Sequence, residues 1–199
     1  MDLKPVTNKT VEAIWRSYEA KRGNGHRPHL GGSQIGHECS RALWYQFRHA
    51  ASENHHGRML RLFDTGNHQE PRLVKDLEDI GVEVWEADED GKQFRYTAHG
   101  GHFALSLDGV GLGFLEAKKT PHVLEFKTAS EKSFNKMKKL GLEVANVQYY
   151  GQVQVGMLLS DLTRAYFFMV NKNTDEIYGE RVNIDKPYAE KLLEKSQKT

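Results

Sequence analysis

The sequence predicts an α+β (mixed α/β) protein: helices first, then a central mixed β-sheet flanked by helices. Three observations carry that expectation. Apolar residues recur at helical spacing through the first third, at Val11, Ile14, Trp15 and Tyr18 and again at Leu43 and Phe47. After residue 82 the period shortens to two. In HFALSLDGV (102–110), Phe103, Leu105 and Leu107 alternate with Ala104, Ser106 and Asp108. RAYFFMVN (164–171) is a near-continuous apolar run, as in a strand buried on both faces.

Taken in order, TVEAIWRSYEAKRG (10–23) is a helix stopped by Gly23 and Gly25, and RGNGHRPHLGGS (22–33) is a loop. Ser33 is a helix-start signal. HECSRALWYQFRHA (37–50) places Cys39, Leu43, Trp44 and Phe47 on one helical face, with Trp44 and Tyr45 read as core. After the break at ENHHG (53–57), a helix inside 58–80 carries Leu73, Leu77 and Ile80 as its stripe. VEVWEA (82–87), KQFRYTA (92–98), 102–110 and HVLEFKT (122–128) read as strands. Helices return over 131–140 and about 143–159, followed by the apolar strand 164–171. NKNTDE turns that strand into IYGERVNI (177–184), and Asp185 with Pro187 opens a last helix, YAEKLLEKSQ. The 199 residues suit one domain, with an N-terminal helical region at 1–57 and a core at 58–199.

Composition narrows the function classes. Hydrophobic content of 38% and charged content of 28% are those of an ordinary globular protein. No apolar run approaches the roughly 20 residues that span a bilayer, so no membrane partner is expected. The N-terminal MDLKPVTNKT lacks the apolar run of a signal peptide, and a single cysteine excludes an intramolecular disulfide. Both features point to a cytoplasmic setting. A net charge of +1 advertises no nucleic-acid binder, yet a carboxylate cluster would offset a basic groove.

The chemistry concentrates at HVLEFKTAS (122–130). Residues two apart in a strand share a face, so Glu125 and Lys127 project together. Asp108 ends the polar face of the preceding strand; if the two strands pair, three charged groups converge at one strand end. Carboxylates held together repel unless a positive charge lies between them, and a hard dication such as Mg²⁺ suits oxygen ligands of this kind. An isolated Glu-x-Lys in a strand is most often a surface ion pair of little consequence. Here the apolar VLEF flank argues against an outer edge strand, and Asp108-Gly109 precedes Glu125 by a hairpin's length.

SLDGV, HVLEFKTAS and YYGQVQVGM, in that order, resemble the PD-(D/E)xK nuclease superfamily. Within it the likeness is to viral recombination exonucleases of the lambda type (YqaJ-like), with RecB-like nucleases as cousins. It covers roughly residues 58–184 and implies a restriction-endonuclease-like core. By this resemblance Asp108 is the first acidic ligand, with Leu107 in place of the family's proline. Glu125 and the Phe126 carbonyl are further ligands of Mg²⁺ or Mn²⁺, and Lys127 is the catalytic lysine. Gln152 is the glutamine that reaches the site from a helix, rather than Gln154. The Gly-x-x-x-Glu pattern in FDTGNHQEPRLV selects Glu70, against the alternative that Asn67 and Glu70 form a capping box. His68 tempts as the histidine of RecB-like relatives, but the register leaves it unmatched.

The resemblance implies an exonuclease acting on double-stranded DNA with a free end, in recombination or repair, phage or prophage encoded. It also implies a single-strand annealing protein as partner and a homo-oligomer. The same residues would serve an endonuclease or a RecB-like or CRISPR-adaptation trimming enzyme, and a non-catalytic DNA-binding module is the rival of another class. Arg58 beside the Glu70 helix, and Lys132 and Lys136 after the Glu-x-Lys strand, are candidate phosphate contacts; Ser33 and Arg41 resemble the family's grip on a DNA end. The ten histidines form no set with zinc-ligand spacing. Cys39 resembles the first cysteine of iron–sulfur relatives, which need four, so a buried thiol is expected instead.

Overall fold

The computed structural model describes residues 8–21, 27–48, 50 and 55–199. The expected stop at Gly23 and Gly25 lies outside these residues. The first helix, α1 (Lys9–Lys21), packs on the long α3 (Gly57–Asp79), with α2 (Ser40–Phe47) between them in sequence. Strands β1 (Leu30–Gly31), β2 (Glu83–Trp85), β3 (Arg95–Ala98), β4 (Phe103–Ser106), β5 (Gly109–Leu112) and β6 (His122–Ala129) lead to α4 (Glu131–Ala145) and α5 (Val147–Ser160). The chain closes with β7 (Arg164–Asn171), β8 (Ile177–Asn183) and α6 (Lys186–Gln197). It forms two mixed sheets, ordered β1-β4-β3 and β2-β5-β6-β7-β8.

β6 lies at the centre of the larger sheet, antiparallel to β5 and parallel to β7. The parallel step needs a long crossover, which α4 and α5 supply. Strand alternation then builds two cores. Leu124 and Phe126 pack with Leu73, Val74 and Leu77 of α3. Val123 and Ala129 face the other way, with Phe134, Met137, Val153 and Met157 of α4 and α5. Glu125 and Lys127 occupy this second face. The last helix starts as expected: Asp185 Oδ1 accepts from the Tyr188 N–H at 3.0 Å.

Several expectations are corrected. The alternation of 102–110 is not one strand. β4 ends at Ser106, β5 begins at Gly109, and the two belong to different sheets. The hydrophobic period runs on across the break because Leu105 and Leu107 are both buried in the same core. The first third is not only helical, since Leu30–Gly31 pairs in parallel with Phe103–Ala104. Ser33 does not start an α-helix; it sits in a 3₁₀ turn, Gly32–Gln34, and α2 begins at Ser40 with Cys39 as N-cap. Trp44, Tyr45 and Ile80 are exposed rather than core, and the Cys39 thiol is exposed rather than buried. α2 has too few turns to bury a wide stripe, and only its Leu43 is fully covered. Asn67 and Glu70 form no capping box, because α3 starts at Gly57 and both lie in its interior.

Candidate active site

Asp108 stands at the fork where the chain leaves the small sheet for the large one. The β5–β6 ladder begins at Gly109↔Leu124, so the residue before it falls beside Glu125. Beyond the ladder the Phe126 N–H has no β5 partner, and it donates instead to Asp108 Oδ2 at 2.7 Å. In an extended strand the N–H and C=O of one residue point to the same side. The Phe126 carbonyl therefore faces the fork as well.

On β6, Glu125 is 1% exposed, and its Oε1 accepts a hydrogen bond from Lys127 Nζ. Lys127 Nζ also lies 5.5 Å from the centre of the Tyr149 ring, a cation–π distance. Glu70 reaches the same place from α3, lining a cleft of about 280 Å³ with Lys127, Phe126, Thr128, Gln69, Tyr149 and Lys172. Pro71 follows it inside the helix. With no N–H to donate, Pro71 leaves the Asn67 carbonyl without its helical partner.

The charges are unevenly matched. Burial pushes the Glu125 carboxyl up to about 8, Asp108 and Glu70 add to the rise, and Lys127 opposes it. Burial also raises Asp108, against the pull of Lys127 and the Phe126 N–H. Glu70 is raised by burial, then by Asp108, with exposed Glu86 adding to the field. For Lys127 burial works downward, but Glu125 and Asp108 outweigh it and hold the ammonium protonated. Three carboxylates thus share one lysine. A site of this kind has anionic charge to spare.

Among the described residues no three Asp, Glu, His or Cys side chains close around a common point as a finished cage. The donor set still fits a hard dication. Two carboxylates and a carbonyl beside an open cleft match Mg²⁺, which takes one or two carboxylates and keeps its waters.

Gln152 and Gln154 of α5 divide cleanly. Gln154 Nε2 donates to the Asn183 carbonyl at 2.9 Å, and its Oε1 accepts from the Asp185 N–H at 2.7 Å. Gln152 is buried, and its Oε1 has no partner. It lies one helical turn beyond Tyr149, on the same face. His68 does not line the cleft, is largely exposed and lies 3.4 Å from Asp64. Ser33, Arg41, Arg58 and Lys132 are exposed and do not line the cleft. Lys136 Nζ donates to the Ala145 carbonyl at 2.8 Å, tying the end of α4.

Tyr149, Gln69, Lys172 and Glu86 were not singled out from the sequence. Tyr149 had a signal, its spacing of three from Gln152 on one helix. Lys172 had none. It is delivered by the turn after β7, where its N–H donates to the Ala129 carbonyl at 2.9 Å.

A central strand carrying Glu-x-Lys, an aspartate at the adjoining strand end and flanking helices are the arrangement that the resemblance to PD-(D/E)xK nucleases implies. Solved structures resemble this chain along nearly its whole length. An alkaline exonuclease, LHK-Exo from Laribacter hongkongensis, matches with a TM-score of 0.58 at 13% identity, over 92% of this chain and 89% of its own. LHK-Exo in complex with dAMP gives 0.57 at 13% identity, over 94% and 89%. SSO0001 gives 0.54 at 13% identity, over 95% and 86%. No family model and no curated protein matches the sequence. At this identity the likeness is one of fold.

Proposed function

We propose that this protein is a metal-dependent deoxyribonuclease that hydrolyses linear double-stranded DNA from an end. The observation that carries the reading is the convergence of Asp108, Glu125, Lys127 and Glu70 at the sheet fork. The fold shared with an alkaline exonuclease favours exonuclease over endonuclease action. Asp108, Glu125 and the Phe126 carbonyl would hold Mg²⁺ or Mn²⁺, with Glu70 assisting. That ion supplies Lewis-acid stabilisation of charge growing on the phosphoryl oxygens.

The chain's own residues do the rest. Lys127 holds a proton on Nζ through its two carboxylate neighbours and presents it where negative charge accumulates. The Tyr149 ring limits the directions in which that ammonium can point. Gln152 offers an unpaired amide oxygen to orient a water proton. Water adds at phosphorus, one P–O ester bond breaks, the proton lost by the water leaves through the carboxylates, and the departing ester oxygen takes up a proton from solvent. The working setting we infer is recombination or repair of phage or prophage origin, in the cytoplasm. A single-strand annealing protein is the inferred partner, and self-association is part of the same reading.

A time course on end-labelled linear duplex, labelled 5′ or 3′, with and without Mg²⁺, tests the proposal. Mononucleotide release that stops with EDTA is expected. Closed circular DNA cut as fast as linear DNA would overturn end dependence. The absence of any cleavage with Mg²⁺ or Mn²⁺ would leave a non-catalytic binding module.

A further inference from the structure

The small sheet ends at Ser106, two residues before Asp108, and its surface carries cations that the reaction described above does not use. Arg95 on β3 pairs across from Ser106 of β4, two residues before Asp108. On the other side of β4, Gly31 of β1 pairs with Ala104. Cross-strand partners share a face, so Arg95, Ser106, Ala104 and Gly31 lie on one surface. Tyr96, Ala98, Phe103 and Leu105 turn the other way into the core.

Arg27 lies over this surface. A Cβ on Gly31 would stand 3.2 Å from its Nη1 and 3.8 Å from Ser33 Oγ. His29 lies within electrostatic reach of both arginines. Its pKa is lowered by burial first, then by the charges of Arg95 and Arg27. Among the described residues neither arginine nor His29 has an ion-pair partner, in contrast to the bidentate Arg72–Asp175 pair. Like charges gathered without a counter-charge repel. An arrangement of this kind gains stability when a polyanion covers it.

We propose that this face of the small sheet, with Arg27 and Arg95 as its two cations, is a phosphodiester-binding surface that leads the DNA backbone to Asp108. The inference rests on the reading of the chain as a nuclease and adds the track its substrate follows. Arg95 and Arg27 contact phosphate, His29 remains neutral within their reach, and Ser33 and Ser106 supply hydroxyl donors. The absence of a side chain at Gly31 leaves room for the Arg27 guanidinium beside the strand.

The test uses the whole protein in EDTA, so that binding is read without cleavage. The dissociation constant of a short blunt duplex is measured by fluorescence anisotropy across a salt series. Arg95→Gln, Arg27→Gln and the double variant are compared with Lys119→Gln, an equal charge change in the loop before β6. Each lost phosphate contact should reduce the slope of log Kd against log salt by about 0.9. The double variant should therefore lose about twice that, while Lys119→Gln keeps the parent slope. Melting temperatures equal to or above that of the parent are expected for the arginine variants, since repulsion is removed. A double variant with the parent slope overturns the inference, and so does a loss no greater than that of Lys119→Gln. If the parent cleaves linear DNA but the slopes do not separate, the track falls and the nuclease reading stands. If the parent neither cleaves nor binds duplex, both fall.

Discussion

Two cation–carboxylate pairs on this chain have opposite fates. Arg72 binds Asp175 through both guanidinium nitrogens, at 2.8 and 2.7 Å, and ties α3 to the β7–β8 turn. Its side chains are 54% and 53% exposed. Lys127 binds Glu125 through one oxygen only, with side chains 22% and 2% exposed. The outer pair has the better geometry and surrenders little water. The inner pair has given up its hydration for a single hydrogen bond, in a place already crowded with acid. A buried pair of that kind is weak evidence for stability and better evidence for a task. The fold spends stability at β6 and recovers it elsewhere.

The sharpest way to break this contrast is to remove the inner cation. Lys127→Met should lower the cleavage rate by at least about 10²-fold, as when a donor aimed at developing charge is lost. Cleavage rates on linear duplex with Mg²⁺ check it. Undiminished activity would reduce the pair to a packing feature.

Next comes the pair of glutamines. Gln154→Ala strands the Asn183 carbonyl and the Asp185 N–H. It should cost about 2–3 kcal/mol in urea unfolding, the penalty for unpaired buried groups. Gln152→Ala removes an atom that already lacks a partner. Its unfolding midpoint should stay close to that of the parent while cleavage slows.

The third test concerns pH. The folded-state pKa of Glu125 is about 8, above its ordinary 4.5. The folded protein therefore holds that proton more tightly than the unfolded chain between those values. Stability from this group is fully present below pH 4.5 and is lost as pH rises through about 8. Asp108 and Glu70 are raised too and act in the same direction. Without divalent cations, the melting temperature should fall from pH 5 to pH 8. Glu125→Gln should flatten that slope and melt above the parent at pH 8. Added Mg²⁺ should raise the melting temperature of the parent but not of the variant, because only a folded-state ligand stabilises.

The smallest effect belongs to the outer pair. Arg72→Ala should lower the unfolding midpoint only slightly at low salt and less at high salt. A larger loss would mean that the bidentate tie holds α3 in place for Glu70.

Much of this site was legible because it lies on a regular strand. Alternation alone put Glu125 and Lys127 together, and the apolar flank put β6 inside a sheet, where it is. The same alternation misled at 102–110, since Leu105 and Leu107 keep the period while the backbone changes sheets between Ser106 and Gly109. Periodicity reports which side is buried, not which strand lies alongside. Lys172 and Glu86 were invisible for a related reason: each is brought to the site by long-range packing, with no local pattern. Trp44 keeps the spacing of a helical stripe and Tyr45 adjoins it, yet both are exposed, because a helix of eight residues buries only Leu43 and a protein surface keeps much apolar area.

The fork at Asp108 couples the site to a distant contact. Gly156 of α5 lies under Leu107, where an added Cβ would stand 3.2 Å from Leu107 Cδ2. Leu107 belongs to neither sheet, and its next neighbour along the chain is the carboxylate. A single methyl on the far side of the core would thus be felt as a lever, tilting one residue and with it the acid. The divide between the sheets would serve as the fulcrum, and α5 would bear on the reactive end twice, through Tyr149 at the cleft and through Gly156 beneath Leu107.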